Sequence, residues 1–233
     1  MQPHCSINVR RYRAVLFDLD GVITDTAVFH YEAFHQAFKR LGLDVKPLDV
    51  YTREGMPSMK LGKAILDGFK VNAIDDELEK AVEEKRELYR QLAEGKIKAF
   101  PGVPETLSML HENGVRLALV TGSNRKSVTK VIDEAGLEGM FDTIVTSEDT
   151  ERGKPFPDPY LRGMEKLGVD KSFSVVVENA PMGIKAAKAA GVDYVIAVTT
   201  TLPEEYLREA DDIMPSFSDL GDCLARRLET NLP

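Results

Sequence analysis

The amino-acid sequence predicts a doubly wound α/β core on a parallel sheet, with a separate α-helical domain inserted after the first strand. Three observations carry this. Short apolar runs rich in Val, Ile and Leu do not alternate with polar residues, which is the pattern of parallel strands covered on both faces. Helical stripes separate the later runs, so strand and helix alternate. The stretch 26–98 breaks that alternation, because it holds helical stripes and no convincing strand.

The expected strands are Ala14–Phe17, Val115–Val120, Thr143–Val145, Ser174–Val177 and Tyr194–Val198. Between the second and third, Val128, Val131, Ile132 and Ala135 fall at i, i+3, i+4 and i+7, with Gly136 as a stop. Pro181 to Ala190 reads as a helix with proline at its start and Gly191 past its end. Three stripes occupy the insert: Phe34, Phe38 and Leu41, closed by Gly42; Leu61, Ile65 and Leu66; and Leu78, Val82, Leu88, Tyr89 and Leu92, before Gly95. They read as packing faces. The division is therefore a core of residues 1–25 and 99–233 and a helical domain of 26–98, joined by crossings near Thr24–Ala27 and Lys98–Gly102. Met1 to Tyr12 reads as a loose tail.

At 233 residues the chain is long enough for such a core with a smaller partner domain. No run reaches the ~18 apolar residues of a membrane span, and Met1 to Arg13 is too polar for a signal peptide. A cytoplasmic monomer is expected, without membrane attachment. Cys5 and Cys223 form no metal-type pair and are expected to be free thiols. A net charge of −8 argues against broad nucleic-acid binding. It also means that any anionic substrate must be met by a local cluster of cations.

The chemistry-bearing residues fall at strand ends, where open α/β sheets bind ligands. The first strand runs into Asp18-Leu19-Asp20-Gly21-Val22-Ile23-Thr24-Asp25-Thr26. Carboxylates at i and i+2 share a side if extended geometry persists, and their repulsion calls for a cation or a shared proton. A lone pair of this kind could equally be a solvated loop end. The second strand ends in Thr121-Gly122-Ser123-Asn124, a hydroxyl, a glycine and a helix N-terminus suited to cradling phosphate; ordinary N-capping by Ser123 or Asn124 is the alternative. After the third strand, two prolines stiffen the loop around Lys154 in Gly153-Lys154-Pro155-Phe156-Pro157. The fourth ends in Glu178-Asn179-Ala180-Pro181, oxygen ligands suited to Mg²⁺ or simple turn residues.

Taken together, these segments resemble the haloacid dehalogenase superfamily. Asp18–Thr26 is similar to its first motif, Thr121 to its second, Lys154 to its third and Glu178–Asn179 to its fourth, in the family's order. The resemblance implies a Rossmann-like core with a helical cap, in the branch of β-phosphoglucomutases and phosphoglycolate phosphatases. It implies that Asp18 is the nucleophile forming an aspartyl phosphate and that Asp20 is the general acid and base. Mg²⁺ is implied as cofactor, held by the Asp18 carboxylate, the Asp20 carbonyl and Asn179, with Glu178 acting through water. Bringing a carboxylate within ~3.5 Å of one phosphoryl charge costs about 5 kcal/mol at an effective dielectric of about 20, which Mg²⁺ and Lys154 must offset. Thr121, Gly122 and Ser123 would hold the other phosphoryl oxygens.

The position of Asn179 usually carries aspartate in that family. A subgroup with Glu-Asn-Ala-Pro includes inorganic pyrophosphatases, in which a cap glutamate helps hold the metal's water; Glu54, in Arg53-Glu54-Gly55, matches it. Taken alone, Glu54 could be a surface acid. His30 matches a hinge-proximal histidine of the mutases, or is an ordinary packed histidine. In mutases an arginine in the cap loop grips a second phosphate, and no arginine follows Arg53 in that loop. The expected function is hydrolysis of pyrophosphate or a small phosphorylated metabolite, and the alternative is a β-phosphoglucomutase.

Overall fold

The computed structural model describes residues 6–71 and 75–229. Six parallel strands form one sheet: β1 (Ala14–Phe17), β2 (Arg116–Val120), β3 (Thr143–Val145), β4 (Ser174–Glu178), β5 (Tyr194–Val198) and β6 (Asp212–Met214). Their spatial order is β3-β2-β1-β4-β5-β6, so the chain winds outward from β1 in both directions. The five expected strands are all present. β6 was not expected; it has three residues and begins with Asp212, too short and polar a run to stand out.

Helices cover both faces. α5 (Val103–Glu112), α6 (Arg125–Ala135) and α9 (Phe217–Glu229) lie on one side; α7 (Asp158–Leu167) and α8 (Pro181–Ala189) lie on the other. Alternate strand residues feed the two layers, as the period of two requires. Val15, Phe17, Leu117 and Leu119 pack towards α5, α6 and α9, while Ala14, Leu16, Ala118 and Val120 pack towards α7 and α8. This explains the unbroken apolar runs, since neither face of the sheet meets water.

Between β1 and α5 the chain forms α1 (Ala27–Lys39), α2 (Pro47–Tyr51), α3 (Ser58–Gly68) and α4 (Asp75–Ala93). The five-residue α2 is additional to the three expected stripes. These helices bury a core of their own, including Phe34, Phe38, Leu61, Ile65, Leu78 and Val82. Leu41 lies just past the end of α1 and packs against this core from the turn. The two crossings run side by side: the Asp25 N–H donates to Lys98 O (3.1 Å) and the Phe100 N–H to Ile23 O (2.9 Å), around a bridge between Thr24 and Ala99.

The loose-tail expectation fails for residues 6–12. Ile7, Val9 and Tyr12 are buried in the α5/α6/α9 layer. The Ser6 N–H donates to Asp212 (3.0 Å) and the Tyr12 hydroxyl to Asp193 (2.7 Å), so polar anchors far along the chain hold the segment down. Met1 to Cys5 lie outside the described residues. The free-thiol expectation also fails at Cys223, a buried α9 residue that is disulfide-bonded. No helix among the described residues is long and apolar enough to cross a membrane.

Candidate active site

Because every strand points the same way, the sequence-predicted residues converge at one edge of the sheet. Asp18 follows β1, Thr121 follows β2, Lys154 comes from the loop after β3, and Glu178–Asn179 end β4. All are at least nine-tenths buried. Lys154 is the hub. Its ammonium donates to Asp18 Oδ1 (2.5 Å), Glu178 Oε1 (2.6 Å) and Val120 O (3.1 Å). The Tyr160 hydroxyl donates to the same Glu178 oxygen (2.6 Å), and the Asn179 N–H to the other (3.0 Å). Burial lowers the Lys154 pKa, but Asp18 and Glu178 outweigh it and the net shift is upward, so the lysine stays charged. Burial pushes Asp18 up to about 7 against the pull of Lys154, with Glu178 and Asp20 adding to the rise.

Asp20 has different company. It accepts from the Thr26 hydroxyl (2.5 Å), and His30 Nε2 lies 3.2 Å from the same oxygen. That contact is at ion-pair distance. Behind His30 stands Lys85, whose ammonium lies 2.7 Å from Nδ1. A protonated Lys85 donates there, which places the imidazole proton on Nε2, facing Asp20. Burial raises the Asp20 pKa, but His30, Thr26 and Lys85 outweigh it and the net shift is downward. Burial, with Lys85 beside it, lowers His30, and burial lowers Lys85 to about 8. Tyr89 stacks on the imidazole at 4.1 Å.

Glu54 comes down from the insert and meets the core: its Oε2 accepts from Asn179 Nδ2 (3.1 Å). Nδ2 also donates to Asp20 O (3.2 Å) and Thr201 Oγ1 (3.0 Å). Burial, then Asp20 and Asp18, push the Glu54 pKa well above its usual range. Two close approaches require glycine. Gly21 has φ +85°, and a Cβ there would lie 2.2 Å from Asn179 Nδ2. A Cβ on Gly122 would lie 2.4 Å from Gly55 O, so the insert loop rests directly on the loop after β2. Asn124 is the cap of α6, accepting from the Ser127 N–H (3.0 Å), so the ordinary reading holds for that residue. Ser123 is not the cap; its N–H donates to Thr121 Oγ1 (3.1 Å).

Four residues of this site were not singled out from the sequence. Lys85 left a signal, since it interrupts the apolar stripe of Val82 and Tyr89 on the buried face of α4. Thr26 lay within the first motif but had no role assigned. Tyr160 and Thr201 left none, being ordinary helix and loop residues until the fold brings them to Glu178 and Asn179.

Comparisons with known proteins identify the family. Residues 15–197 match the haloacid dehalogenase-like hydrolase family. The chain belongs to that family. Among this haloacid dehalogenase-like protein's relatives is a phosphorylated carbohydrates phosphatase of Thermotoga maritima, 30% identical over 195 residues, covering 81% of this chain and 86% of that protein. A pyrophosphatase of Halalkalibacterium halodurans is 31% identical over 216 residues, covering 90% and 95%. A β-phosphoglucomutase structure from Clostridium difficile superposes with a TM-score of 0.79 at 25% identity, covering 93% of this chain and 99% of that one. The fold-class expectation and the family resemblance both hold.

Proposed function

We propose that this chain is a Mg²⁺-dependent phosphohydrolase for a small phosphorylated metabolite or pyrophosphate, acting through an aspartyl phosphate on Asp18. The single observation that carries the reading is the division of labour between two buried carboxylates two residues apart. Asp18 is held by the Lys154 ammonium, while Asp20 is held by Thr26 and faces His30 and Lys85. Neighbouring carboxylates in unlike environments can separate a nucleophile from an acid and base. Without cation or substrate Asp18 is raised and Asp20 lowered, so these roles require a cation to ionise Asp18 and the anionic phosphoryl group to raise Asp20. Residues 26–98 act as a cap in this reading, closing the site against water.

The residues present fit a magnesium ion. Among the described residues there is no group of three His, Cys, Asp or Glu side chains placed to hold a metal. The available set is instead mixed: the Asp18 carboxylate, the Asp20 carbonyl, the Asn179 amide and Glu54, all hard oxygen donors. Asn179 Oδ1 and Glu54 Oε1 are buried acceptors without a partner, as a cation site requires. Asp18, Asp20 and Asn179 would hold the ion, with Glu54 and Glu178 acting through its water. When bound, it would neutralise charge between carboxylate and phosphoryl group and favour the ionised form of Asp18.

The chain's own groups do the rest. Asp18 attacks phosphorus, and Lys154, the Thr121 hydroxyl and the backbone N–H of Gly122 hold the phosphoryl oxygens, while the Ser123 N–H orients the Thr121 hydroxyl. Asp20 gives a proton to the departing oxygen, then takes one from the water that attacks the phosphorus of the aspartyl phosphate. His30 and Lys85 orient and tune Asp20 from the cap side, so acid–base competence depends on closure. The mutase reading has less support, because relatives matched in sequence are named as phosphatases and pyrophosphatases.

A Mg²⁺-dependent screen for phosphate release over pyrophosphate, sugar phosphates and phosphoglycolate tests the proposal. A coupled assay for conversion of β-glucose 1-phosphate to glucose 6-phosphate, with catalytic glucose 1,6-bisphosphate, accompanies it. Release from at least one compound with little isomerisation is expected; efficient isomerisation without release would promote the mutase.

Two variants probe individual roles. Lys85→Met should lower kcat by about 10²-fold, the lower end of general acid–base contributions, with KM for a small substrate such as acetyl phosphate nearly unchanged. Stability should fall by about 1–3 kcal/mol, since His30 Nδ1 is left buried without its donor. A kcat within twofold of the parent would remove Lys85 from the acid–base machinery. Asn179→Asp should tighten Mg²⁺ by roughly tenfold, because an anionic ligand replaces an amide. It should also cost the metal-free protein about 1–3 kcal/mol, since Glu54, Asp20 O and Thr201 lose the amide donor that holds them. Direct Mg²⁺ titration and thermal melts with and without EDTA check both; unchanged metal affinity would put Asn179 outside the coordination shell.

A further inference from the structure

Two helices remote in sequence set like charges around a cleft beside the catalytic carboxylates. On α4, Arg86 and Arg90 are spaced i and i+4 and share one helix face; on α6, Lys126 and Lys130 do the same. All four line a cavity of about 390 Å³ between the helical insert and the core. This cavity adjoins the chamber at Asp20, with His30, Lys85 and Ser123 bordering both. The chamber itself is only about 30 Å³. A phosphoryl group bound at Asp18 would therefore direct its leaving group into the larger cleft, whose volume suits a small metabolite.

The charge pattern describes that leaving group. Two acids, Glu83 and Glu94, line the cleft against the four cations and Lys85, in a chain whose net charge is −8. Like charges at i and i+4 destabilise a helix by about 0.2–0.5 kcal/mol per pair, and here two such pairs face one cavity. Arg86, Arg90 and Lys130 hold Glu83, Glu87 and Glu94 in exposed pairs. Pairs of this kind are worth about 0–1 kcal/mol, so a ligand anion exchanges for them readily. Lys126 has no ion pair among the described residues.

We infer that the cleft receives the leaving-group half of the substrate, and that this half is a carbon skeleton bearing a second anionic group gripped between α4 and α6. The inference rests on Asp18–Asp20 being the phosphoryl-transfer site and narrows the substrate to a phosphate monoester with a distal anion. Pyrophosphate would leave the cleft empty. The cations come from α4 and α6, not from the segment 55–60 where the mutases place an arginine. Arg86 and Arg90 can each grip an oxyanion with two parallel hydrogen bonds, while Lys126 and Lys130 act as point charges.

Calorimetric titration of the full-length Asp18→Asn protein with Mg²⁺ tests this without turnover. The probes are glucose 1-phosphate, glucuronic acid 1-phosphate and glucose 1,6-bisphosphate, which differ in the distal group alone: hydroxyl, carboxylate or phosphate. At least one anionic probe should bind about tenfold or more tighter than glucose 1-phosphate, and which one does distinguishes carboxylate from phosphate. The preference should shrink with added salt and disappear in Lys126→Glu/Lys130→Glu. Lys126→Ala/Lys130→Ala provides the milder variant should charge reversal impair folding. Equal binding of the three probes, no binding of any, or a preference that survives loss of both lysines overturns the inference. Phosphate release by the unsubstituted enzyme is scored separately, so failure of the phosphohydrolase reading would be visible independently of the cleft.

Discussion

Asp18→Asn should reduce turnover by at least ~10⁴-fold, the scale on which loss of a covalent nucleophile registers, while leaving the protein folded. The amide cannot attack phosphorus, yet it fills the same space. Its oxygen can still accept from Lys154, which keeps Glu178 as a counter-ion 2.6 Å away. Burial already pushes the Asp18 carboxyl up to about 7, so a neutral side chain suits the position. The melting temperature should therefore stay within a few degrees of the parent or rise. Steady-state kinetics with the best substrate, alongside a thermal melt, check both halves. Activity above about one percent in a folded variant would remove Asp18 as nucleophile.

Lys154→Ala should have the largest effect on stability. Asp18 and Glu178 share the ammonium at 2.5 and 2.6 Å, and each side chain is less than a twentieth exposed. Removing the cation strands two like charges in the interior, and breaking a buried pair in this way costs about 3–5 kcal/mol. For a chain of this size that corresponds to a fall of roughly 6–20 °C in melting temperature. Turnover should drop by about 10³-fold as the charge opposite the phosphoryl oxygens is lost. The sign of the pH dependence follows from the carboxyl groups. Without Lys154 the Asp18 carboxyl, already raised by burial, rises further above its unfolded pKa, so stability is retained at low pH and lost as pH rises through the folded value. The deficit should be larger at pH 8 than at pH 5. A deficit that is flat with pH, or larger at pH 5, would mean that the lysine acts by packing alone.

Much of the fold was legible because burial on both faces leaves a clear record. β1, with four buried residues in Ala14–Phe17, can be little else. β6 escaped because three residues led by an aspartate carry no such record. Residues 6–12 were read as a tail because Ile7, Val9 and Tyr12 are isolated apolar positions; their anchors, Asp193 and Asp212, lie near the other end of the chain. In the site, the strand-end groups were visible through the parallel sheet, which brings every strand end to one edge. Lys85 went unread although it falls in the apolar stripe of Val82 and Tyr89, because a lysine in a charged helix reads as surface until packing sets its ammonium against His30. The α4–α6 cations were hidden for a related reason. In sequence they are scattered charges on two separate helices, and only folding sets Arg86 and Arg90 across a cleft from Lys126 and Lys130.

The most direct test of the account is to trap the covalent intermediate. Enzyme, Mg²⁺ and the best substrate from the screen are mixed, quenched in acid within the first turnover and reduced with borohydride, which converts an acyl phosphate on aspartate to homoserine. Peptide mass spectrometry then reads residue 18. Homoserine at position 18, absent without substrate and absent in Asp18→Asn, is the predicted result. Full phosphate release over the same interval with residue 18 unmodified, or modification at Asp20 instead, would contradict the account.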